Sequence, residues 1–190
     1  MNLNVHAIRR RSRANGPGVR TVIWFQGCSL KCPGCFNPDT HSHEPRLLVP
    51  VEGLVQELML SCDTIEGLTL SGGEPLEQLA GLMALLTGVR ERTDLSVILS
   101  TGWDWAQVLA LPDRDALLAC VDVVLAGPYE ADRHLASGLR GSANKTMHFL
   151  TNRYSEQDIL QTPTGEVTID PDGEVTLSGV DPLPAHRPGD

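Results

Sequence analysis

The sequence predicts an α/β protein built on a parallel sheet, followed by a small C-terminal β-hairpin. Short runs of apolar and β-branched residues alternate along the chain with segments of helical periodicity, which is the pattern of right-handed β-α-β crossovers. Beyond residue 150, apolar and polar residues instead alternate around a Pro-Asp-Gly turn, which is typical of a hairpin. The length of 190 residues suits one domain with a substantial core.

A repeated order of strand and then helix accounts for most of the chain. Residues 19–26 are β-branched and aromatic and end at a glycine, so they predict the first strand. Further strands are predicted at 65–70, 95–100, 121–125 and 146–150, and helices at 51–59, from Pro75 to about residue 86, and at 104–120 with an interruption at Pro112. Residues 1–150 are expected to form the core domain. Residues 151–190 are expected to form an extension, with hairpin strands at 166–170 and 174–178 and a frayed tail from Pro182.

The charge distribution excludes a protein-wide surface for nucleic acid. The net charge is −9, yet residues 1–46 hold seven Arg and Lys against two acidic residues and so carry +5. Arg9, Arg10, Arg11 and Arg13 form a basic arm, which is either a solvated tail or a surface that docks an acidic partner or phosphates. No apolar stretch approaches eighteen residues and no signal-like segment is present, so a soluble, cytoplasmic protein with no membrane or nucleic-acid partner is expected.

Each unusual segment follows the predicted end of a strand. The clustered cysteines follow the first strand, SGGEP follows the second, TGW the third and GPY the fourth. The loops at the carboxyl ends of parallel strands lie on one face, which is where ligands bind in such folds. The sequence therefore predicts one site that is built from these four loops.

Three of the five cysteines lie within eight residues, in the pattern CxxxCxxC: Cys28, Cys32 and Cys35. An odd number of cysteines without a secretory leader favours a metal site over disulfides. The spacing leaves three interpretations open: a 4Fe-4S cluster with one iron free for a ligand, a zinc site completed by His41 or His43, and free thiols. Cys62 and Cys120 fall at apolar-patterned positions and are predicted to be core residues.

The segment SGGEP, at residues 71–75, supports two interpretations. Its two glycines allow the backbone to approach a ligand closely, and exposed carbonyl groups can accept hydrogen bonds from an ammonium. The alternative is an ordinary turn between a strand and a helix, in which the Glu74 carboxylate is favoured by the helix dipole.

The run NGPGVRTVIWFQGCSLKCPGCFNPDTH, followed by SGGEPL, resembles the radical S-adenosylmethionine enzymes. Within them it is most similar to the glycyl-radical activating enzymes, in particular the small activators of anaerobic ribonucleoside-triphosphate reductase. TGW at 101–103, VDVVLAGPY at 121–129 and LRGSANKTMHF at 139–149 are similar to segments in the same order, so the resemblance covers residues 5–150. It implies an incomplete (β/α) TIM-like barrel.

The resemblance also implies the chemistry. A 4Fe-4S cluster on the three cysteines would bind S-adenosylmethionine at its fourth iron and break the sulfonium bond, and the resulting 5′-deoxyadenosyl radical would take a hydrogen atom from a glycine of anaerobic ribonucleotide reductase, a glycyl radical enzyme. The electron would come from a low-potential donor such as flavodoxin or ferredoxin. The expected catalytic and cluster-ligating residues are Cys28, Cys32 and Cys35. The expected cofactor-binding residues are Phe36, Ser71, Gly72, Gly73, Glu74, Thr101 and Gly102.

Three positions depart from the pattern of these activators. Phe36 stands where they usually carry a histidine, Ala126 where they carry an acidic residue, and Lys145 where they carry a glutamine. Two other functions therefore stay open at this point. One is a radical S-adenosylmethionine enzyme that modifies another peptide or a small molecule, and the other is a zinc-stabilised binding module without catalysis.

Overall fold

The computed structural model describes residues 1–169, 172–173 and 175–181. The strands are β1 (Asn2–Ser12), β2 (Arg20–Phe25), β3 (Leu47–Pro50), β4 (Gly67–Gly72), β5 (Ser96–Ser100), β6 (Val123–Ala126), β7 (His134–Ser137), β8 (Arg140–Ser142), β9 (Thr146–Phe149), β10 (Gly165–Ile169) and β11 (Val175–Gly179). The helices are α1 (Val51–Ser61), α2 (Leu79–Arg92), α3 (Trp105–Leu109), α4 (Arg114–Ala119) and α5 (Glu156–Leu160). Seven strands form one sheet, in the order β3-β1-β2-β4-β5-β6-β9.

The centre of this sheet is parallel, as the sequence predicts. β2, β4, β5 and β6 pair in parallel, and α1, α2 and the α3–α4 pair lie in the connections between them. The predicted interruption at Pro112 falls between α3 and α4. Pro75 begins a 3-10 turn rather than an α-helix, and α2 starts four residues later, at Leu79.

The sheet is mixed and open, which corrects the prediction that all its strands are parallel. β1, β3 and β9 run antiparallel to their neighbours. The end strands β3 and β9 do not pair with each other, so no barrel closes within the described residues. A parallel return after β6 would need a crossover, usually a helix. The chain instead forms the β7–β8 hairpin there and re-enters the sheet antiparallel as β9.

The N-terminal segment is a strand of the sheet, which corrects the expectation of a solvated tail. β1 lies between β2 and β3 in the sheet, and Leu3 and Val5 are fully buried in the core. The Arg10 guanidinium makes an exposed ion pair with Glu57 at 2.7 Å. Polar and apolar residues alternate in NLNVHAI with the period of two that a strand requires. The strand forms although this segment leads into a run of arginines.

The two faces of the parallel strands pack against different parts of the chain. One face packs on helices α1 to α4 through residues of the main core: Ile23, Phe25, Leu68, Leu70, Val97, Leu99, Val124 and Ala126. The opposite face presents Ile98, Val123 and Leu125, which pack against Tyr154 and Ile159 of the C-terminal extension. With Tyr154 and helix α5, the extension therefore covers part of the face that α1 to α4 leave free.

The predicted C-terminal hairpin is confirmed as the antiparallel pair β10–β11. Two hydrogen bonds fasten it to the start of the chain: Asn15 Nδ2 donates to Ser178 Oγ at 2.6 Å, and the Arg13 amide donates to Glu166 Oε2 at 2.8 Å. The predicted frayed tail from Pro182 lies outside the described residues. Among the helices of the described ranges, none combines the length and the hydropathy needed to cross a membrane.

Candidate active site

The four loops singled out in the sequence line one cavity at the carboxyl ends of the parallel strands. Its walls contain every residue expected in the site: Cys28, Cys32, Cys35, Phe36, Ser71, Gly72, Gly73, Glu74, Thr101 and Gly102. The fourth loop contributes Tyr129 to the cavity wall. The order and direction of the parallel strands therefore bring the four loops together at one edge of the sheet, as predicted.

The cysteine loop turns tightly after β2. Lys31 and Gly34 both have positive φ angles, of 46° and 71°, and the Cys35 amide donates to the Cys32 carbonyl at 3.1 Å. The start of the loop is fixed because the Cys28 amide donates to the His41 carbonyl at 3.2 Å. These turns direct all three thiols to the same cavity.

The electrostatic surroundings of the thiols combine burial with one nearby cation. Burial raises the pKa of Cys28 and Cys35, although backbone N–H groups that donate to each sulfur oppose the shift. The Lys145 ammonium lines the same cavity and donates to the carbonyl oxygens of Thr101, at 3.2 Å, and Gly127. Burial lowers the pKa of Lys145, and the charges of Glu74 and the cysteines oppose that shift. A fixed ammonium beside the three cysteines suits a bound group of net negative charge.

The arrangement fits a cluster better than a single zinc ion. Within the described residues, no three His, Cys, Asp or Glu side chains converge closely enough to hold one metal ion. A 4Fe-4S cube makes no such demand, because each thiolate binds a different iron. Neither candidate fourth zinc ligand lines the cavity: His43 Nε2 lies 2.8 Å from Glu77 Oε2, and His41 Nε2 is buried without a partner.

Gly72 and Gly73 are required for a reason that the sequence did not indicate. A Cβ atom on Gly72, whose φ is +101°, would lie 2.5 Å from the Phe25 backbone nitrogen. A Cβ atom on Gly73 would lie 2.3 Å from the Gly27 carbonyl oxygen. The space that the missing side chains leave is therefore filled by the strand and loop that carry the cysteines, and the two loops of the site pack directly on each other.

Glu74 connects the loop after β4 to the loop after β5. Its side chain is fully buried and accepts hydrogen bonds from the Leu76 amide at 2.9 Å, the Thr101 hydroxyl at 2.8 Å and the Gly102 amide at 2.7 Å. Burial raises the pKa of Glu74, and these three donors oppose the shift. Both carboxylate oxygens are thus occupied by protein donors, and the bond to Leu76 also caps the following 3-10 turn.

Replacing Glu74 by alanine should destabilise the protein by about 3–5 kcal/mol, because it leaves three buried donors without an acceptor. Glu74→Gln keeps one acceptor oxygen and should cost less, about 1–3 kcal/mol. Urea unfolding of the cluster-free protein measures both values. Glu57→Ala, which removes only the exposed ion pair with Arg10, is the control and should cost less than about 1 kcal/mol. An alanine variant as stable as the parent would show that Glu74 does not fasten the loops.

Several cavity residues were not named individually as site residues from the sequence: Asn15, Tyr129, Lys145, Gly179 and Val180. Tyr129 and Lys145 lie in segments that carry the family resemblance, so a signal for them existed. The Phe36 ring, 48% exposed, packs edge-on against Tyr129 with centroids 5.0 Å apart. Ala126 is buried in the core on the helix side of the sheet.

Comparison with known proteins decides the family. A family model described as a 4Fe-4S single cluster domain matches residues 14–148. The anaerobic ribonucleoside-triphosphate reductase-activating protein of Enterobacteria phage T4 is 34% identical over 138 residues, which cover 70% of this chain and 85% of the phage protein. This chain belongs to the radical S-adenosylmethionine family of glycyl-radical activating enzymes.

Relatives of a second kind match this activating enzyme over a smaller part of their length. The pyruvate formate-lyase-activating enzyme of Clostridium pasteurianum is 33% identical over 125 residues, 64% of this chain and 50% of the relative. The enzyme of the same name from Staphylococcus aureus (strain USA300) is 36% identical over 93 residues, 46% of this chain and 37% of the relative. The chain thus spans half or less of these longer enzymes.

Proposed function

We propose that this activating enzyme holds one 4Fe-4S cluster on Cys28, Cys32 and Cys35 and uses S-adenosylmethionine to remove a hydrogen atom from a glycine of anaerobic ribonucleoside-triphosphate reductase. The observation that carries the proposal is the single cavity that joins the three thiols to the loops after β4 and β5, in a chain that covers 85% of the phage T4 activating protein. We also infer that the open sheet corresponds to the incomplete TIM-like barrel of the family.

The chemistry requires one electron and one open iron. When bound, the reduced cluster supplies an electron that breaks a carbon–sulfur bond of S-adenosylmethionine, giving methionine and a 5′-deoxyadenosyl radical, which takes a hydrogen atom from the glycine and becomes 5′-deoxyadenosine. A flavodoxin or a ferredoxin supplies the electron. Cys28, Cys32 and Cys35 would hold the cluster and leave one iron for S-adenosylmethionine, and the Lys145 ammonium would offset part of the cluster's negative charge.

The remaining residues of the cavity position S-adenosylmethionine. We assign the ribose to the Thr101–Gly102 loop and the amino group to the loop of residues 71–74. We assign the ammonium to backbone carbonyls of that loop, because three protein donors already hold the buried Glu74 carboxylate between the two loops. Phe36, packed against Tyr129, lines the side of the cavity next to the third cysteine.

The proposal is tested by an anaerobic assay with the reconstituted protein, the reductase of the same organism, reduced flavodoxin and S-adenosylmethionine. Electron paramagnetic resonance should detect a glycyl radical on the reductase only when all four are present. The Cys35→Ala variant is the negative control.

A second outcome would favour a different substrate. Release of 5′-deoxyadenosine without a glycyl radical on the reductase would contradict this target and favour an enzyme that modifies another peptide or a small molecule. The departures at Phe36, Ala126 and Lys145 are the observation that keeps that second candidate in the test.

A further inference from the structure

A second, larger cavity opens beside the cysteine site. Its volume is about 740 Å³, and the two cavities share wall residues: Trp24, Phe36, Asn37, Tyr129, Gly179 and Val180. We call this larger cavity the entry groove. The shared walls place the entry groove directly beside the cavity that the three cysteines line.

One wall of the entry groove is the edge of a strand. Residues 176–181 line it without interruption. Successive side chains of a strand point to opposite faces, so an unbroken run of lining residues means that the groove borders the edge of the strand and not one of its faces. In the described part of the chain, β11 pairs with β10 alone, so its other edge has no strand partner.

The cysteine loop and the segment after β6 form another part of the groove wall. Phe36, Tyr129 and His134 form a row of rings, with centroids 5.0 Å apart in the first pair and 6.4 Å in the second. Among the described residues that line the groove there is no Lys or Arg. Asp181, the last residue of the run 176–181, is the one acidic residue among them. The groove thus offers both unpaired backbone groups and aromatic side chains, which suits an extended, uncharged peptide.

We propose that the entry groove binds the glycine-bearing segment of the partner enzyme, which adds as a strand along the free edge of β11. This inference rests on the proposed function, because that function requires a glycine to reach the cysteine cavity. Backbone hydrogen bonds to a free strand edge give affinity to an extended peptide of almost any sequence. Tyr129, Gly179 and Val180 line both the entry groove and the cysteine cavity, so a segment bound in the groove lies next to that cavity.

The test measures hydrogen–deuterium exchange of the reconstituted protein, with and without the anaerobic ribonucleoside-triphosphate reductase of the same organism. Amides of residues 175–181 should exchange more slowly in the complex, because an added strand accepts hydrogen bonds from them. The segment of residues 47–61, in β3 and α1, is the internal control and should not change. A glycyl radical on the reductase together with unchanged exchange at 175–181 would overturn the groove proposal alone.

Two variants at neighbouring positions provide a matched pair. Thr176→Trp fills the groove and should weaken binding of the reductase about tenfold or more, while cleavage of S-adenosylmethionine without the reductase continues at the parent rate. Val175→Trp places the same ring one residue away, at a position 59% exposed and outside the groove walls, and should leave binding unchanged. Equal affinities for both variants would contradict the proposal.

Two further outcomes would overturn the groove proposal in different ways. Failure of the parent protein to form any glycyl radical on the reductase would overturn the proposed function, and the groove proposal with it. Truncation after Asp181 that speeds exchange at residues 175–181 in the free protein would show that the end of this chain occupies the groove, and it would overturn the proposal of a partner segment.

Discussion

Alanine at any one of Cys28, Cys32 and Cys35 is expected to give a folded protein that holds no 4Fe-4S cluster. Three thiolates already leave one iron without a protein ligand, and two cannot retain the cube. The fold should survive, since the thiols line a cavity and lie outside the main core of packed side chains. Iron and sulfide content after anaerobic reconstitution measures the loss, and circular dichroism checks the fold.

The other two cysteines provide the control for this prediction. Cys62 and Cys120 follow directly after α1 and α4 and do not line the cavity. Both are only partly buried and pack against the core, which corrects the prediction that they belong to it. Cys62→Ala and Cys120→Ala should therefore retain a full cluster. If a Cys62 variant lost its iron while a Cys35 variant kept it, the assignment of the ligands would be wrong.

The place of the site could be predicted from the sequence because it depends only on topology. Once residues 19–26, 65–70, 95–100 and 121–125 are recognised as parallel strands, their following loops must share one edge. No knowledge of side-chain packing is needed for that step. The reason for the glycines of SGGEP was missed because it depends on which backbone lies against them, here the carbonyl of Gly27.

The periodicity of the sequence does not show whether an outer strand runs parallel or antiparallel to its neighbour. Alternation in NLNVHAI predicts a strand, but the four arginines at 9–13 give the same segment the charge pattern of a solvated arm. The segment of β9 was predicted to be a strand. Its antiparallel direction follows from the β7–β8 hairpin that precedes it. The spacing of residues in LRGSANKTMHF does not reveal that hairpin.

The role of Arg20 could not be predicted at all. In the sequence it adds one charge to a basic segment, whereas in the fold its side chain is fully buried on the sheet face opposite the helices. Its hydrogen bonds go to Thr69 Oγ1 (2.8 Å), Pro17 O (3.3 Å), Ser96 Oγ (2.9 Å), Tyr154 Oη (3.1 Å), Leu68 O (2.8 Å) and Ser96 O (3.2 Å). These partners lie as far as 134 residues away in the sequence, so only the folded chain brings them together.

The buried charge of Arg20 is compensated indirectly. Burial lowers the pKa of Arg20, and the nearby Tyr154 and Glu66 oppose the shift. The Tyr154 hydroxyl, in turn, donates to Glu66 Oε1 at 2.8 Å. The guanidinium therefore joins β2, β4 and β5 to the first residues of the C-terminal extension through one network.

Arg20→Met should destabilise the cluster-free protein by about 3–5 kcal/mol, a large share of the roughly 5–15 kcal/mol that holds a typical domain together. The cost arises because the buried carbonyls of Leu68 and Ser96 lose their donor while no water can replace it. Arg20→Lys keeps the charge but offers one donor group in place of the planar fork, so its stability should lie between those of Arg20→Met and the parent. Urea unfolding followed by circular dichroism measures both.

An exposed arginine separates the effect of burial from that of charge. Arg92, at the end of α2, pairs with Glu52 at 2.6 Å on the surface, so Arg92→Met should leave the urea midpoint unchanged. Arg20→Met should also speed hydrogen exchange around Tyr154, because that side chain loses its link to the sheet. If Arg20→Met proved as stable as the parent, the apolar stem would supply all that the site requires and the hydrogen-bond network would contribute no net stability. That result would also remove the guanidinium as the anchor of the extension, and leave the contacts of Asn15 and Arg13 with the hairpin to hold β11 beside the cysteine cavity.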